Sequence, residues 1–456
     1  MDVAANPVAA ARWDWRSVIC WALWGWGSSA FNTVILTFVF TVYLTGSVAS
    51  DPQTGSKALG VTLTIAGACI ALIAPVTGQR SDAGGRRKRW LALHTALVVV
   101  STAGLYFVQD VPSFLLLGLV LVAVGSVFVE FAGVNYNAML LQVSTPASIG
   151  RISGFGWAMG YFGGLVALAI VLFGFVQPEI GLFGVTSEDG LNIRVVALFA
   201  ATWFALFALP LLIFVPEAPS PADQVQRSFL TGYLVLGKRL ARMWRTDRST
   251  LGYLAASAIY RDGLAAIFTF GGVIAAGTFG FSPGEVVVFA IAANLIAGAS
   301  AFLGGRADDR FGPKPIIVTS LFGLVVVGSS MVVLPGKAAF WVCGLLLAGF
   351  LGPTESASRT FLARIAPPGR EGETFGLYAT TGRAVSFLGP LAFSGFIALF
   401  GTQRAGMAGI VLILLIGLLA MIPVRAPQRT GAATTGTSRN AAVSSESSSN
   451  ASIPNR

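Results

Sequence analysis

Charge is scarce in this chain. Of its 456 residues only 11% are Asp, Glu, Lys or Arg, less than half of the ~25% usual in a soluble domain. A water-soluble globule of this length is thereby excluded. Histidine occurs once, as His94, which removes most base-assisted catalytic triads and His-rich metal sites. Its place at one end of the third apolar run is that of a core histidine facing a neighbouring helix. The three cysteines, Cys20, Cys69 and Cys343, each lie inside an apolar run and far from one another. Neither a disulfide framework nor a thiolate cluster is expected, and the thiols act as small hydrophobes. No Gly-x-x-x-x-Gly-Lys-Ser/Thr loop occurs, which argues against direct drive by ATP. These absences leave no metal, no cofactor and no enzymatic machinery to expect. A net charge of +10 would point to nucleic acid in a soluble protein, but here nearly all of it lies between apolar runs and marks one side of a membrane instead.

Apolar residues, by contrast, make up 55% of the chain. Crossing the ~30 Å hydrocarbon layer as a helix takes about 20 of them, because the backbone must satisfy its own hydrogen bonds there. Twelve such runs are present: near 17–44, 58–78, 90–108, 114–141, 152–175 and 193–215, then near 251–279, 284–304, 315–334, 338–362, 374–400 and 405–424. The eighth and ninth are the least regular, because Gly and Pro interrupt them. The expected fold is all-α and polytopic, with twelve transmembrane helices in two six-helix bundles over 17–215 and 251–424. A polar amino terminus, 1–16, precedes them with no cleavable signal peptide expected. A linker, 216–250, joins the bundles, and its stretch Arg227 to Arg245 sets Leu230, Leu234, Leu240 and Trp244 among Lys238, Arg239 and Arg242, the pattern of an amphipathic helix on the membrane surface. Residues 425–456 are rich in Ser, Thr, Asn, Ala and Gly and read as a disordered tail. Of the 30 basic residues, 23 fall on the side of the termini, four on the other side and three inside runs. Both termini are therefore expected in the cytoplasm of a cell whose inner membrane holds the protein.

The second half repeats features of the first. Gly78, Asp82 and Gly85 match Gly305, Asp309 and Gly312 at one offset of 227, and Pro146, Gly150, Gly154 and Gly160 match Pro368, Gly372, Gly376 and Gly382 at an offset of 222. Parallel six-helix repeats mark one class of secondary transporter. The segments Gly78-Gln79-Arg80-Ser81-Asp82-Ala83-Gly84-Gly85-Arg86-Arg87 and Gly305-Arg306-Ala307-Asp308-Asp309-Arg310-Phe311-Gly312-Pro313-Lys314 resemble the Gly-x-x-x-Asp-Arg-x-Gly-Arg-Arg/Lys signature of the major facilitator superfamily. Ala83 and Pro313 depart from it, each standing where the signature has Arg. The resemblance, over residues 15–424, implies a pseudo-two-fold pair of bundles whose inner loops latch conformations without touching substrate. Within that superfamily, Asp14-Trp15, Ser29 to Thr33, Thr37 to Phe40, Gly156 to Gly164, Tyr260 to Gly263 and Ile267 to Gly272 are similar to the vacuolar-effluxer-like branch, bacterial members above all. That similarity implies solute export and leaves the solute open.

Six charged side chains lie inside the runs: Glu130, Arg261, Asp262, Glu355, Arg359 and Arg383. Each costs about 2.5 to 3.5 kcal/mol there even on the milder insertion scales, so they face partners or a wet cavity. The resemblance implies that helices one, four, seven and ten line the central cavity, and five of the six fall on that set. Glu130 has no partner in its own helix and is the leading candidate for a protonatable group, with a structural hydrogen bond as the alternative; it shares a helix face with Asn137. Glu355 and Arg359, four apart, are expected to pair as an inner gate. Arg261 and Asp262 point about 100° apart, and Asp262 is expected on the cavity with Arg261 turned to a neighbouring helix. Asn32 adds a neutral polar group at that depth. Pro75, Pro353 and Pro390 bend helices, the fifth-helix glycines serve close packing, and Trp13, Trp15, Trp21, Trp24 and Trp26 cluster at the start of the first helix, where an interfacial belt accounts for the outer members and a stacking site for an aromatic solute is the sharper reading.

The function that follows is alternating-access transport of a small solute, an amino acid or similar polar metabolite, driven by protons, sodium or the solute's own gradient, with membrane lipid as the other partner. Efflux of hydrophobic compounds, and a receptor or scaffold that keeps the carrier fold, are the alternatives.

Overall fold

A computed structural model describes residues 14–217 and 229–426. Residues 1–13, 218–228 and 427–456 lie outside the described residues, and with them Trp13, the start of the expected surface helix at Arg227 and nearly all of the tail expected to be disordered. Among the described residues there is no strand, and twelve helices are long and apolar enough to cross a membrane. Spans 1 to 6 are Trp15–Val48, Gln53–Ala83, Arg87–Phe107, Pro112–Val143, Ile149–Val176 and Glu188–Phe214. Spans 7 to 12 are Arg248–Phe279, Gly284–Phe311, Pro313–Val333, Lys337–Ile365, Glu371–Phe400 and Gln403–Met421.

Because these helices are apolar nearly all round, periodicity does little to place their ends and local capping does more. The Asp51 carboxylate accepts from the backbone N–H groups of Gln53 and Thr54 at 3.0 and 2.9 Å, and the Thr54 bond above all holds its pKa below the usual range. Ser282 and Glu285 close a capping box ahead of span 8. Spans 8 and 9, the least regular in sequence, are continuous helices that meet at Gly312. Several others are interrupted, spans 1 and 11 among them. Span 1 loosens into π turns over Phe31–Phe38 and breaks at Val39. Span 11 is two helices, Glu371–Val385 and Leu388–Phe400. Pro390 accounts for that break: it has no N–H for the carbonyl of Ser386, and its ring crowds the same group. Pro75 and Pro353 sit inside continuous helices.

The first six spans pack on one another, span 1 on spans 5 and 6, span 3 on 4 and 6, and span 2 on 4. The last six do likewise, span 7 on 12, span 8 on 10, and span 9 on 10 and 12. Two long seams join the groups, span 2 with span 11 and span 5 with span 8. The repeat glycines make these seams, paired crosswise. A Cβ on Gly78 would lie 2.0 Å from the Gly372 carbonyl oxygen, and one on Gly305 would lie 2.4 Å from that of Gly150. One turn on, a Cβ on Gly376 would meet the Ala74 carbonyl at 2.6 Å and one on Gly154 the Ala301 carbonyl at 2.3 Å. Only hydrogen fits at these crossings, so the backbones touch.

All four crossings lie toward the face that holds Asp14 and Ala426, here termed the basic face. Toward the opposite face the groups separate around a cavity of about 770 Å3, lined by Thr37, Phe38 and Leu63 on one side and by spans 7 to 10 and 12 on the other. The molecule is sealed at the basic face and open at the other. The helix Phe229–Thr246 runs along the seal. Its Tyr233 hydroxyl donates to the Leu72 carbonyl of span 2, while Leu234 and Trp244 stand 68% and 67% exposed, the apolar edge expected of a surface helix. Of the tryptophans clustered at the start of span 1, the outer Trp15 is exposed, whereas Trp21 and Trp24 are buried and donate to the Tyr136 carbonyl and the Thr95 hydroxyl. They are core, not belt. His94 is buried among Trp90, Phe128 and Phe131.

A side chain at Gly78 should keep the seam from closing. With Cys20, Cys69 and Cys343 replaced by Ala and one cysteine placed at Ser356, Gly78→Leu should speed labelling by a membrane-impermeant maleimide. Gly67→Leu, on the same helix where an added Cβ meets nothing within 4 Å, serves as control. Equal labelling of the two variants would contradict the assigned seam.

Candidate functional site

The loops after spans 2 and 8 hold the seal by one device used twice. A helix begins with backbone N–H groups that lack partners, and each seam supplies a carboxylate from the opposite group. Asp82 accepts from Gly372 and Glu373 at the start of span 11, at 3.0 and 2.8 Å. Asp309 accepts from Gly150 and Arg151 at the start of span 5, at 2.7 and 3.2 Å. Gly85 and Gly312 take positive φ, +56° and +89°, which lets the chain turn sharply three residues after each Asp. Arg87 bonds Asp82 through Nε at 2.8 Å and reaches Glu371 across the seam. The second copy is built differently: Lys314 donates to the Ile422 carbonyl, Arg310 lies over the Phe311 ring, and Arg364 stands 3.3 Å from the neighbouring Asp308. Arg86 is exposed at the start of span 3.

Deeper, Arg359 crosses from span 10 into the first group. Its Nε donates to the Ser153 hydroxyl at 2.9 Å, one terminal nitrogen to the Ser153 carbonyl at 2.5 Å and the other to Asn137 Oδ1 at 3.3 Å. The guanidinium lies 5.0 Å from the Trp21 ring and 5.6 Å from that of Trp157. The intrahelical pair expected between Glu355 and Arg359 is absent: among the described residues no ion pair within 4.0 Å joins Glu355 to any base. Burial decides it, since Arg359 is drawn into a slot of neutral hydrogen-bond partners and aromatic faces across the seam. Asn137 and Arg359 are themselves separated by the repeat offset of 222.

Above this latch lies a belt of charge. Glu130 pairs across the groups with Arg383 of span 11, and both side chains keep over a third of their surface exposed, 36% and 39%, although both lie mid-span. Arg261 stacks on the Tyr378 ring at 3.9 Å and donates to the Tyr378 carbonyl at 3.3 Å, within Coulombic reach of Glu130 and Glu355. Glu355 is in turn coupled to Arg359 and close to Tyr161, Tyr260 and Tyr378. The expectation of Asp262 on the cavity is not met. Asp262 is 7% exposed, and its carboxylate accepts from the Gly389 N–H, capping the second half of span 11, while Arg261 joins the belt. Consecutive residues had to diverge, and the break in span 11 created a donor that Asp262 was placed to meet. Asn32 is exposed on the π segment of span 1, its amide 3.5 Å from the Ser28 carbonyl. Leu351 on the cavity wall stands one turn before Glu355, so cavity and belt adjoin. Among the described residues no cluster of His, Cys, Asp and Glu fit to hold a metal ion occurs.

Sequence reasoning missed Ser153, Glu371 and the tyrosines at 161, 260 and 378. Glu371 and Glu373 flank a repeat glycine and signal a charged helix start, Tyr161 and Tyr260 stand out only as members of the segments that carry the family resemblance, and Ser153 and Tyr378 carry no mark that separates them from ordinary polar residues of apolar helices.

Residues 142–433 match the family model described as vacuole effluxer Atg22 like. The uncharacterized MFS-type transporter YxiO of Bacillus subtilis (strain 168) is 24% identical over 412 residues, 88% of this chain and 94% of that protein. Autophagy-related protein 22 of Cryptococcus neoformans var. neoformans serotype D (strain B-3501A) is 27% identical over 297 residues, 60% of this chain, so the chain spans about half of that relative, 52%. Among solved structures, the proton:xylose symporter XylE bound to 6-bromo-6-deoxy-D-glucose superposes with a TM-score of 0.68 at 14% identity, over 91% of this chain and 96% of that one. The transporter FucP in the outward conformation gives 0.65 at 13%, over 89% and 97%. The relatives and the fold are those of major facilitator transporters, not of enzymes.

Arg359→Gln removes charge-assisted bonds of about 1.5 to 3 kcal/mol each and should lower the Tm of the purified protein. Glu355→Gln, with no ion pair to lose, should leave it nearly unchanged. Equal destabilisation by the two would restore the intrahelical pair.

Proposed function

The chain belongs to the vacuole effluxer Atg22 like family, and on that premise we propose that it exports a small solute bearing a carboxylate, an amino acid or a similar polar metabolite, by alternating access across the cytoplasmic membrane. One observation carries the substrate reading: the belt and the latch beneath it set three guanidinium groups, Arg261, Arg359 and Arg383, against two carboxylates, Glu130 and Glu355, and every hydrogen bond that Arg359 makes goes to a neutral group. A positive charge left unmatched in a low-dielectric site favours a ligand that brings its own anion. Glu130, nearest the open side through its exposed pairing with Arg383, would receive an ammonium group or a proton. The positive-inside bias makes the basic face cytoplasmic, so the state described has its cavity open to the outside, as expected after an exporter releases its load.

Residues of the belt lie on spans 4, 7, 10 and 11, which belong to both groups. Rocking one group against the other about the seams would therefore break the Glu130–Arg383 pair and the Arg359 contacts together. The solute's charge would compensate part of that cost, which ties binding to the change of access. A second reading, efflux of hydrophobic compounds, is favoured by the cavity wall, where Thr37, Thr269 and Asn294 are the polar side chains in an otherwise apolar or glycine lining.

Flux of radiolabelled amino acids in proteoliposomes separates the two. The wild type should prefer a free amino acid over its carboxamide by about tenfold, and Arg261→Gln should erase that preference. Equal transport of acid and amide would favour the hydrophobic reading. An imposed pH gradient should accelerate the wild type and fail to accelerate Glu130→Gln; a persisting response would take Glu130 out of the coupling.

A further inference from the structure

The basic face carries a second cavity, away from the belt. It occupies about 450 Å3 between the start of span 7 and the end of span 12, and is lined by Arg245, Asp247, Arg248, Ser249, Gly252 and Arg425 among others. Three guanidinium groups thus meet one carboxylate, and that carboxylate is engaged: Asp247 accepts from the Thr250 N–H at 3.1 Å and from its hydroxyl at 2.6 Å. The backbone around it is fixed as well. Arg425 N–H donates to the Ser249 hydroxyl at 2.9 Å, which ties the two helix ends together, and Arg248 Nε donates to the Trp244 carbonyl at 3.1 Å. Arg245, Arg248 and Arg425 are all exposed, and none of them takes part in the ion pairs described above.

The surroundings state what kind of anion fits. Trp244, one residue before Arg245, is 67% exposed, and Leu234 on the same helix is 68% exposed. The Trp244 ring is presented to the surroundings beside Arg245, at the end of the surface helix and just before the start of span 7, as an interfacial aromatic would be. A water-filled site for a free anion needs no such apolar margin. A site that takes the phosphate of a lipid needs both, cations for the headgroup and an apolar flank for its chains.

We infer that the cleft between spans 7 and 12, with the end of the surface helix as its rim, is a binding site for an anionic phospholipid headgroup. The phosphate would be held by the guanidinium groups of Arg245, Arg248 and Arg425, whose planar forks suit phosphate oxygens, and the acyl chains would lie along Trp244. The inference needs only that this face meets a leaflet containing anionic lipid and is independent of which solute is carried. Because the rim belongs to the connection between the two groups, a lipid seated there bears on the linker and on span 7 at once.

Native mass spectrometry of the full chain, purified from mixed micelles of phosphatidylcholine and phosphatidylglycerol, tests it. The wild type should retain phosphatidylglycerol selectively, and retention should fall about fivefold for each guanidinium removed in the series Arg245→Gln, Arg248→Gln and Arg425→Gln. The triple Gln variant of Arg16, Arg80 and Arg89, exposed cations on the same face, loses the same charge and should retain the lipid. Gly252→Leu keeps every charge and fills the cleft, since a Cβ there meets only Val424 at 3.7 Å; it should lose the lipid and remain folded. Competition by glycerol phosphate at equal concentration would assign the site to a soluble anion and overturn the lipid reading. Undiminished retention in Gly252→Leu, or equal loss in the control triple, would overturn the site itself.

Discussion

What the rest of this molecule depends on is a carboxylate from one half set against the uncapped start of a helix in the other. The four leading N–H groups of a helix have no partner within it, and in an apolar medium that deficiency is costly. Asp82 and Asp309 make it good from across the interface. A helix whose first turn is completed only by its neighbour is stable in that form only while the neighbour is present. The backbone contacts at Gly78 and Gly305 bring the two close enough for these bonds to form. Packing and polar satisfaction therefore switch together, and the basic face is either shut as a unit or open as a unit.

The two seams are alike in backbone and unlike in charge. Around Asp82 the cation Arg87 bridges to Glu371 of the other group, whereas at the matching place Lys314 serves a carbonyl of its own group. The span 2 and span 11 seam thus holds a buried clasp of Arg87 between Asp82 and Glu371, whereas the span 5 and span 8 seam pairs Asp309 with the half-exposed Arg151 at 3.3 Å and adds Arg359, reaching over from span 10 to Ser153. Pseudo-symmetry supplies the hinge surfaces, and departures from it supply the polar ties that make one closed state preferred.

Much of this was legible in the sequence, for reasons that can be named. Twelve spans follow from the length of apolar runs, because the membrane imposes one solution on the backbone. The crosswise seams were prefigured by glycines that recur at fixed offsets, since close approach admits nothing larger. The orientation of Asp262 and Arg261 was not legible. It hinged on a break in span 11, and the residue that causes it, Pro390, is one of several prolines whose neighbours do not distinguish a bend from a gap. Likewise the spacing of Glu355 and Arg359 permits a pair, but spacing on one helix says nothing of a better slot on another. The partner of Glu130 lay 253 residues away, beyond any local pattern.

The gap at Ser386 and Phe387 divides span 11 into a part clasped to span 2 and a part roofing its own group. A continuous rod would carry any tilt at the clasped end straight through to the far surface. Two rods meeting at a corner do not; torque passes the corner through what lies against both, and span 7 does so, with Arg261 on Tyr378 of the first rod and Asp262 gripping the second rod's tip. Span 11 is therefore less a lever than an elbow, and span 7 sets its angle.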